Sequence, residues 1–301
     1  MISYRVRHTT EYRYSQPVSL CHNEAHILPR ELPHQHCLSG QLQIHPTPTV
    51  RHDREDFFGN RVTYFTIQES HTALEVTAES EVQVLPVVLP DFSATPAWEE
   101  ARTRLRSEQS REDLEARQFT LDSPFVSASA KFAAYAAPSF SRGRPLLEAV
   151  HALMTCIHSE FVYDPEFTTI ATPLSAVFEH RRGVCQDFAH LALACLRSLG
   201  FAARYVSGYL ETFPPPDQPH SANAAASHAW LSVYSPGHGW VDFDPTNDQI
   251  PTDRHITVAW GRDYSDVTPL KGTILGGGIH VLHVDVEVKR RTDRASTGKE
   301  L

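Results

Sequence analysis

The segment that most constrains this chain is residues 185–199, Cys-Gln-Asp-Phe-Ala-His-Leu-Ala-Leu-Ala-Cys-Leu-Arg-Ser-Leu, its strongest helix pattern. Gly200 follows where a helix favours a left-handed C′ residue. Strand patterns come directly after it. Ala203–Leu210 reads as a strand, 213–219 as a Pro-rich loop, and His228–Tyr234 and Gly239–Asp244 as the arms of a hairpin closed through Ser235-Pro236-Gly237-His238. A second helix is expected over Arg144–His158, where Leu147, Val150, Leu153, Met154 and Ile157 recur at helical spacing. A last strand is expected over Ile279–Val288.

Residues 1–90 read differently. Ser3–Val6, Glu11–Tyr14, Gln41–His45, Arg61–Ile67, Leu74–Ala78 and Glu81–Leu85 alternate or are rich in β-branched and aromatic residues. Asp56-Phe57-Phe58-Gly59-Asn60 carries turn chemistry, because Gly and Asn tolerate positive φ. Prolines cluster over 86–96 and the alternation stops. The expected organisation is an antiparallel β-module over 1–90 and a linker with helical segments over 91–140. The core, with its C-terminal strand, takes 141–290, and a disordered polar tail takes 291–301.

Thirty-six acidic against 27 basic side chains give a formal charge of −9, which argues against nucleic acid as the main partner. No apolar run is long enough to span a bilayer, and no secretory signal is visible, so no membrane partner is expected. The five cysteines are odd in number and irregularly spaced, which reads as reduced thiols in the cytoplasm. Oligomeric state is not legible.

Cys185 opens the main helix after Gly183-Val184. The first helical N–H groups lack intrahelical partners and carry partial positive charge, which favours a thiolate and can stabilise an oxyanion. His228 heads one hairpin arm and Asp244 ends the other, symmetric about Pro236. Directly opposed residues stand about 5 Å apart at Cβ, close enough for a carboxylate to orient an imidazole that takes a thiol proton. Asp242 shares the strand face of Asp244 and competes for that role.

The elements Gly183-Val184-Cys185-Gln186-Asp187-Phe188-Ala189-His190, His228-Ala229-Trp230 and Trp240-Val241-Asp242-Phe243-Asp244-Pro245-Thr246 resemble the transglutaminase-like superfamily, more narrowly its bacterial cysteine-protease branch. Tyr12-Arg13-Tyr14, Leu28-Pro29-Arg30 and Phe58-Gly59-Asn60 resemble that branch's N-terminal β-module. Gly261-Arg262-Asp263-Tyr264-Ser265-Asp266-Val267 through Gly276-Gly277-Gly278 resembles its C-terminal segment. The resemblance implies an α+β papain-like core, its Cys185 helix packed on an antiparallel sheet, with Cys185, His228 and Asp244 as a triad. It further implies hydrolysis of a peptide or amide bond in a peptide or protein substrate through a thioester. Transamidation or other acyl transfer on the same triad, and a non-catalytic binding module on the same scaffold, are the alternatives.

Tyr163, Gln186, Tyr209 and Trp230 are candidate substrate contacts, and the 213–220 loop a candidate rim. Asp187, two residues into the helix, suits the macrodipole as a structural group. His190, Cys156 and Cys195 read as packed residues. Cys21-His22, His26 and His34-Gln35-His36-Cys37 match no standard zinc spacing. No metal and no organic cofactor are expected.

Overall fold

In a computed structural model, residues 1–107, 110–211 and 227–291 are described. The 213–220 loop and the tail beyond 291 lie outside them. In chain order the elements are β1 (Ile2–Ala25), β2 (Gln35–His45), β3 (Val50–Glu55), β4 (Arg61–Ile67) and β5 (His71–Val84). Next come α1 (Trp98–Ser107), α2 (Arg111–Arg117), α3 (Ala130–Ala136), α4 (Leu146–Glu160), β6 (Val162–Tyr163), α5 (Leu174–His180) and β7 (Arg182–Gly183). The chain continues with α6 (Cys185–Ser198), β8 (Ala203–Leu210), β9 (His228–Ser235), β10 (Gly239–Phe243), β11 (His255–Gly261), α7 (Tyr264–Val267), β12 (Leu270–Gly276) and β13 (His280–Arg291).

The first sheet is built on β1, a single strand where the sequence pattern suggested two short ones. The polar residues that looked like an interruption are cross-strand pairs. Thr9 faces Thr77 with their hydroxyls 3.1 Å apart, and Arg7 faces Glu79. For the same reason β5 runs unbroken through Glu79 and Ser80. The N-terminal half of β1 is flanked by β5 and β13, and its C-terminal half by β4 and β12. The strand assigned to the end of the core therefore completes the N-terminal sheet instead. Asp56 ties the β3–β4 turn, accepting from the amides of Phe58 and Asn60 at 2.8 Å each.

The second sheet has the order β10-β9-β8-β11 and is antiparallel throughout. Helix α6 lies across β8 and β9, with α3, α4 and α5 on its other side. Residues 187–197 are all buried, so the helix is covered on every face. Leu191, Leu193 and Leu196 meet Tyr205, Leu231 and Val233 in one core. Each fully buried leucine contributes about 1.5–3 kcal/mol. The buried polar groups on α6 are paired: Arg197 donates to the Ala203 carbonyl at 2.9 Å and to Ser123 at 3.0 Å. The stretch expected as a linker is a packed layer. Leu105, Ala116 and Phe119 bury against Ala202 and Tyr234, and the Tyr234 hydroxyl donates to Asp113 at 2.9 Å. Among the described residues no helix is long and apolar enough to cross a membrane.

Candidate active site

Cys185 is the first residue of α6, after a tight turn that the sequence of its neighbours explains. Asp187 reaches back to accept from the Val184 amide at 2.9 Å, capping the helix start. A Cβ on Gly183 would stand 2.7 Å from the Asp187 carboxylate oxygen, so the glycine permits this close return. Burial holds the Asp187 pKa above its ordinary value. The Cys185 side chain is partly exposed.

His228 begins β9 and Asp244 follows β10. The observed register pairs Trp240 with Tyr234 and Phe243 with Leu231, two residues away from the symmetric pairing about Pro236. A two-residue offset leaves the same side chains on the same face, whereas a one-residue slip would invert them. His228 and Asp244 therefore meet diagonally, with Nε2 to Oδ2 2.8 Å. Cys185 lies near enough to the same imidazole to help raise its pKa. With Nε2 committed to Asp244, the nitrogen left for the thiol is Nδ1.

Asp244 is fully buried and fixed at both oxygens. Oδ1 accepts from the amides of Thr246 at 3.0 Å and Asn247 at 3.3 Å. Oδ2 accepts from His228, from Asn247 Nδ2 at 2.8 Å and from His255 Nε2 at 3.1 Å. Burial opposes its charge, but the bonds from His228 and His255 outweigh this and hold the carboxyl well below the usual range. Burial likewise opposes charge on His228. Its bond to Asp244, the proximity of Cys185 and the charges of both prevail and raise its pKa from 6.5 to about 10. The geometry can thus keep a proton on the imidazole beside a cysteine sulfur.

The competing Asp242 is used elsewhere: its Oδ2 accepts from the Trp230 indole at 2.9 Å. Trp230 is fully buried, stacked under His228 with centroids 6.0 Å apart, so it forms a wall of the site and is not open to substrate. Tyr209 is also buried. Its side chain faces the N-terminal sheet, where the hydroxyl donates to the Ile27 carbonyl and meets His8 Nδ1, both at 2.9 Å. Tyr163 is 54% exposed on β6, which pairs with Gly183 beside Cys185, and Gln186 is half-buried. These two are the solvent-accessible members of the four. His190 is buried, with Nε2 accepting from the Tyr264 amide at 3.2 Å, and desolvation lowers its pKa to about 4.

Sequence reasoning missed Asn247 and His255. Asn247 follows the Asp244-Pro245-Thr246 element directly and could have been included with it. Nothing local marks His255, whose role depends on β11 being brought to β8. His228 Nε2, Asp244 Oδ2 and His255 Nε2 are also, among the described residues, the one cluster compact enough to offer three ligand atoms to a metal. An ion there would displace the protons that now join these groups. Cys21, His22, His26, His36 and Cys37 do not converge. His22 bonds Tyr64 and Thr66, His26 pairs with Asp56, and Cys37 with Arg61.

Residues 4–83 match the bacterial transglutaminase-like N-terminal region, and residues 133–245 match the transglutaminase-like superfamily core. An uncharacterized Mycobacterium tuberculosis protein is 41% identical over 293 residues, covering 95% of this chain and 92% of its own. An uncharacterized Mycobacterium leprae protein is 35% identical over 287 residues, with 95% and 98% coverage. A solved structure described as a "Putative Cysteine Protease" from Cytophaga hutchinsonii superposes with a TM-score of 0.76. It is 21% identical and covers 97% of this chain and 92% of that one, a likeness of fold. The chain belongs to the transglutaminase-like superfamily. Within it, the protein pairs the bacterial N-terminal region with the core domain in one chain.

Proposed function

We propose that this protein hydrolyses peptide or amide bonds by cysteine nucleophilic catalysis, with Cys185 as nucleophile, His228 as base and acid, and Asp244 as orienter. The observation that carries the reading is His228 bonded to a buried, multiply held Asp244, with Cys185 near enough to help raise the imidazole pKa. The Cys185 sulfur attacks the carbonyl carbon. The C–N bond breaks as His228 gives its proton to the departing amine, leaving a thioester. Water then attacks, His228 takes its proton, and the freed thiolate recovers the ion pair as the acid leaves. Side chains supply every group in this cycle, and the partner is a peptide or protein substrate.

An amine in place of water would give transamidation from the same thioester. A Pseudomonas aeruginosa protein-glutamine gamma-glutamyltransferase, 28% identical over 108 residues, keeps that reading in view. It covers 33% of this chain and 16% of that protein. Incubation with a peptide library, with and without a labelled primary amine, separates the two by mass spectrometry. New termini or released ammonia without amine, absent in Cys185→Ala, is the expected result. Amine incorporation without hydrolysis would reassign the chain as a transferase, and identical products from Cys185→Ala would refute the cysteine mechanism.

A further inference from the structure

We propose that His255 is a positioning residue for this reaction: it fixes the Asp244 oxygen that in turn fixes His228. The inference rests on the cysteine-nucleophile reading and extends it to a residue outside the Cys-His-Asp set. Three observations carry it. His255 Nε2 lies 3.1 Å from Asp244 Oδ2, the same oxygen that holds His228 at 2.8 Å. The Asp oxygen is acceptor only, so His255 donates there. The ring is buried, and Asp244 is its only polar side-chain partner among the described residues, since Nδ1 meets none.

The ring's orientation is itself fixed by packing. The His255 ring stands edge-on to Trp230 with centroids 5.1 Å apart, and Trp230 is the wall stacked under His228. His255 comes from β11 while His228 and Trp230 come from β9, so β8 between these strands sets their spacing. A carboxylate held from one side by the base alone can rotate. With donors from His255 and Asn247 on Oδ2 and two backbone amides on Oδ1, its plane is set before His228 binds it. On the site side the titratable groups around the ring are Asp244, His228 and, beyond them, Cys185. On its other side His255 lines a cavity of about 360 Å³ that Arg204, Asp242, His34 and His238 also line.

The test uses the full chain and reads iodoacetamide alkylation of Cys185 by mass spectrometry at pH 6 and pH 9.5. His255→Phe keeps a ring against Trp230 and removes the donor. Its Cys185 rate should fall roughly tenfold at pH 6, a coupling typical of groups sharing one partner, and match wild type at pH 9.5, where an isolated thiol ionises unaided. His255→Gln, whose amide nitrogen stands near the Nε2 position, should recover most of the rate. His255→Asn, one bond shorter, should not, and it serves if the Phe variant fails to fold. In an Asp244→Asn background, His255→Phe should change nothing further. An unchanged pH 6 rate in His255→Phe or His255→Asn, or an equal fall in both backgrounds, would overturn the positioning role while leaving the cysteine mechanism standing. A wild-type Cys185 no more reactive at pH 6 than Cys37 or Cys156 would instead overturn the underlying mechanism.

Discussion

Asp244 and His228 illustrate how burial and pairing compete at a single residue. Removing either charge from water is costly, yet each supplies what offsets the other's desolvation, and the remaining carboxylate lone pairs are bonded to Asn247, His255 and backbone amides. The pH consequence follows from linkage. The folded pKa of His228 lies near 10 against 6.5 for the free group. Its contribution to stability is complete below pH 6.5 and is lost as pH rises through about 10. Asp244 is depressed, so its contribution is present above its ordinary range and lost as pH falls through the folded value. Wild-type melting temperature should therefore drop more between pH 7 and 10 than that of His228→Gln. Parallel curves for the two proteins over that window would contradict the raised pKa.

At the scale of elements, the sheet brings the site together through one residue without a side chain. Gly208 on β8 is opposite His228 on one side and Thr257 on the other. A Cβ there would stand 2.2 Å from the Ile256 carbonyl and 2.5 Å from the Trp230 ring, so the indole passes over a space that only glycine leaves. Gly208→Ala should cost about 1–3 kcal/mol by overpacking and slow Cys185 alkylation at pH 6 by moving Trp230 from under His228. Unchanged urea unfolding and alkylation would refute that account. The helices α4 and α6, the strand β4 and the hairpin arms were all legible, because periodicity and turn residues are local signals. The register of β9 and β10 was not. Symmetry about Pro236 placed His228 and Asp244 on one face, but the turn at Ser235–His238 pairs Gly239 with Ser235 and shifts the pairing by two. The burial of Tyr209 and Trp230 was not legible for a related reason: an aromatic in a strand reads alike whether it faces a cleft, a core or a second sheet.

The whole molecule is joined along an edge strand. β11 ends the core sheet, and an unpaired edge exposes backbone donors and acceptors. Side-chain amides from the start of β2 and from the β3–β4 turn cover it. Gln35 donates to the Thr257 carbonyl and accepts from its amide, both at 2.8 Å, imitating a paired strand. Asn60 does the same at Trp260, donating at 2.8 Å and accepting at 2.9 Å. Each buried backbone group left without such a partner would cost about 1–3 kcal/mol. The strand so braced is the one that begins with His255. No sequence pattern exposes this arrangement, because a buried Gln at a strand start or Asn in a turn looks like surface composition until the partner strand is in place. The closure of the first sheet by β12 and β13 was hidden for the same reason. It depends on contacts between residues from opposite ends of the chain, such as Val18 with Gly276 and Ser3 with Arg291.

The central claim, that His228 activates Cys185, is tested most directly by the alkylation rate of every cysteine at pH 6 in wild type and in His228→Ala. With the imidazolium retained up to about pH 10, Cys185 alone should react fast in wild type and fall to the rate of Cys37 and Cys156 in the variant. Equal rates for Cys185 in the two proteins would contradict the claim.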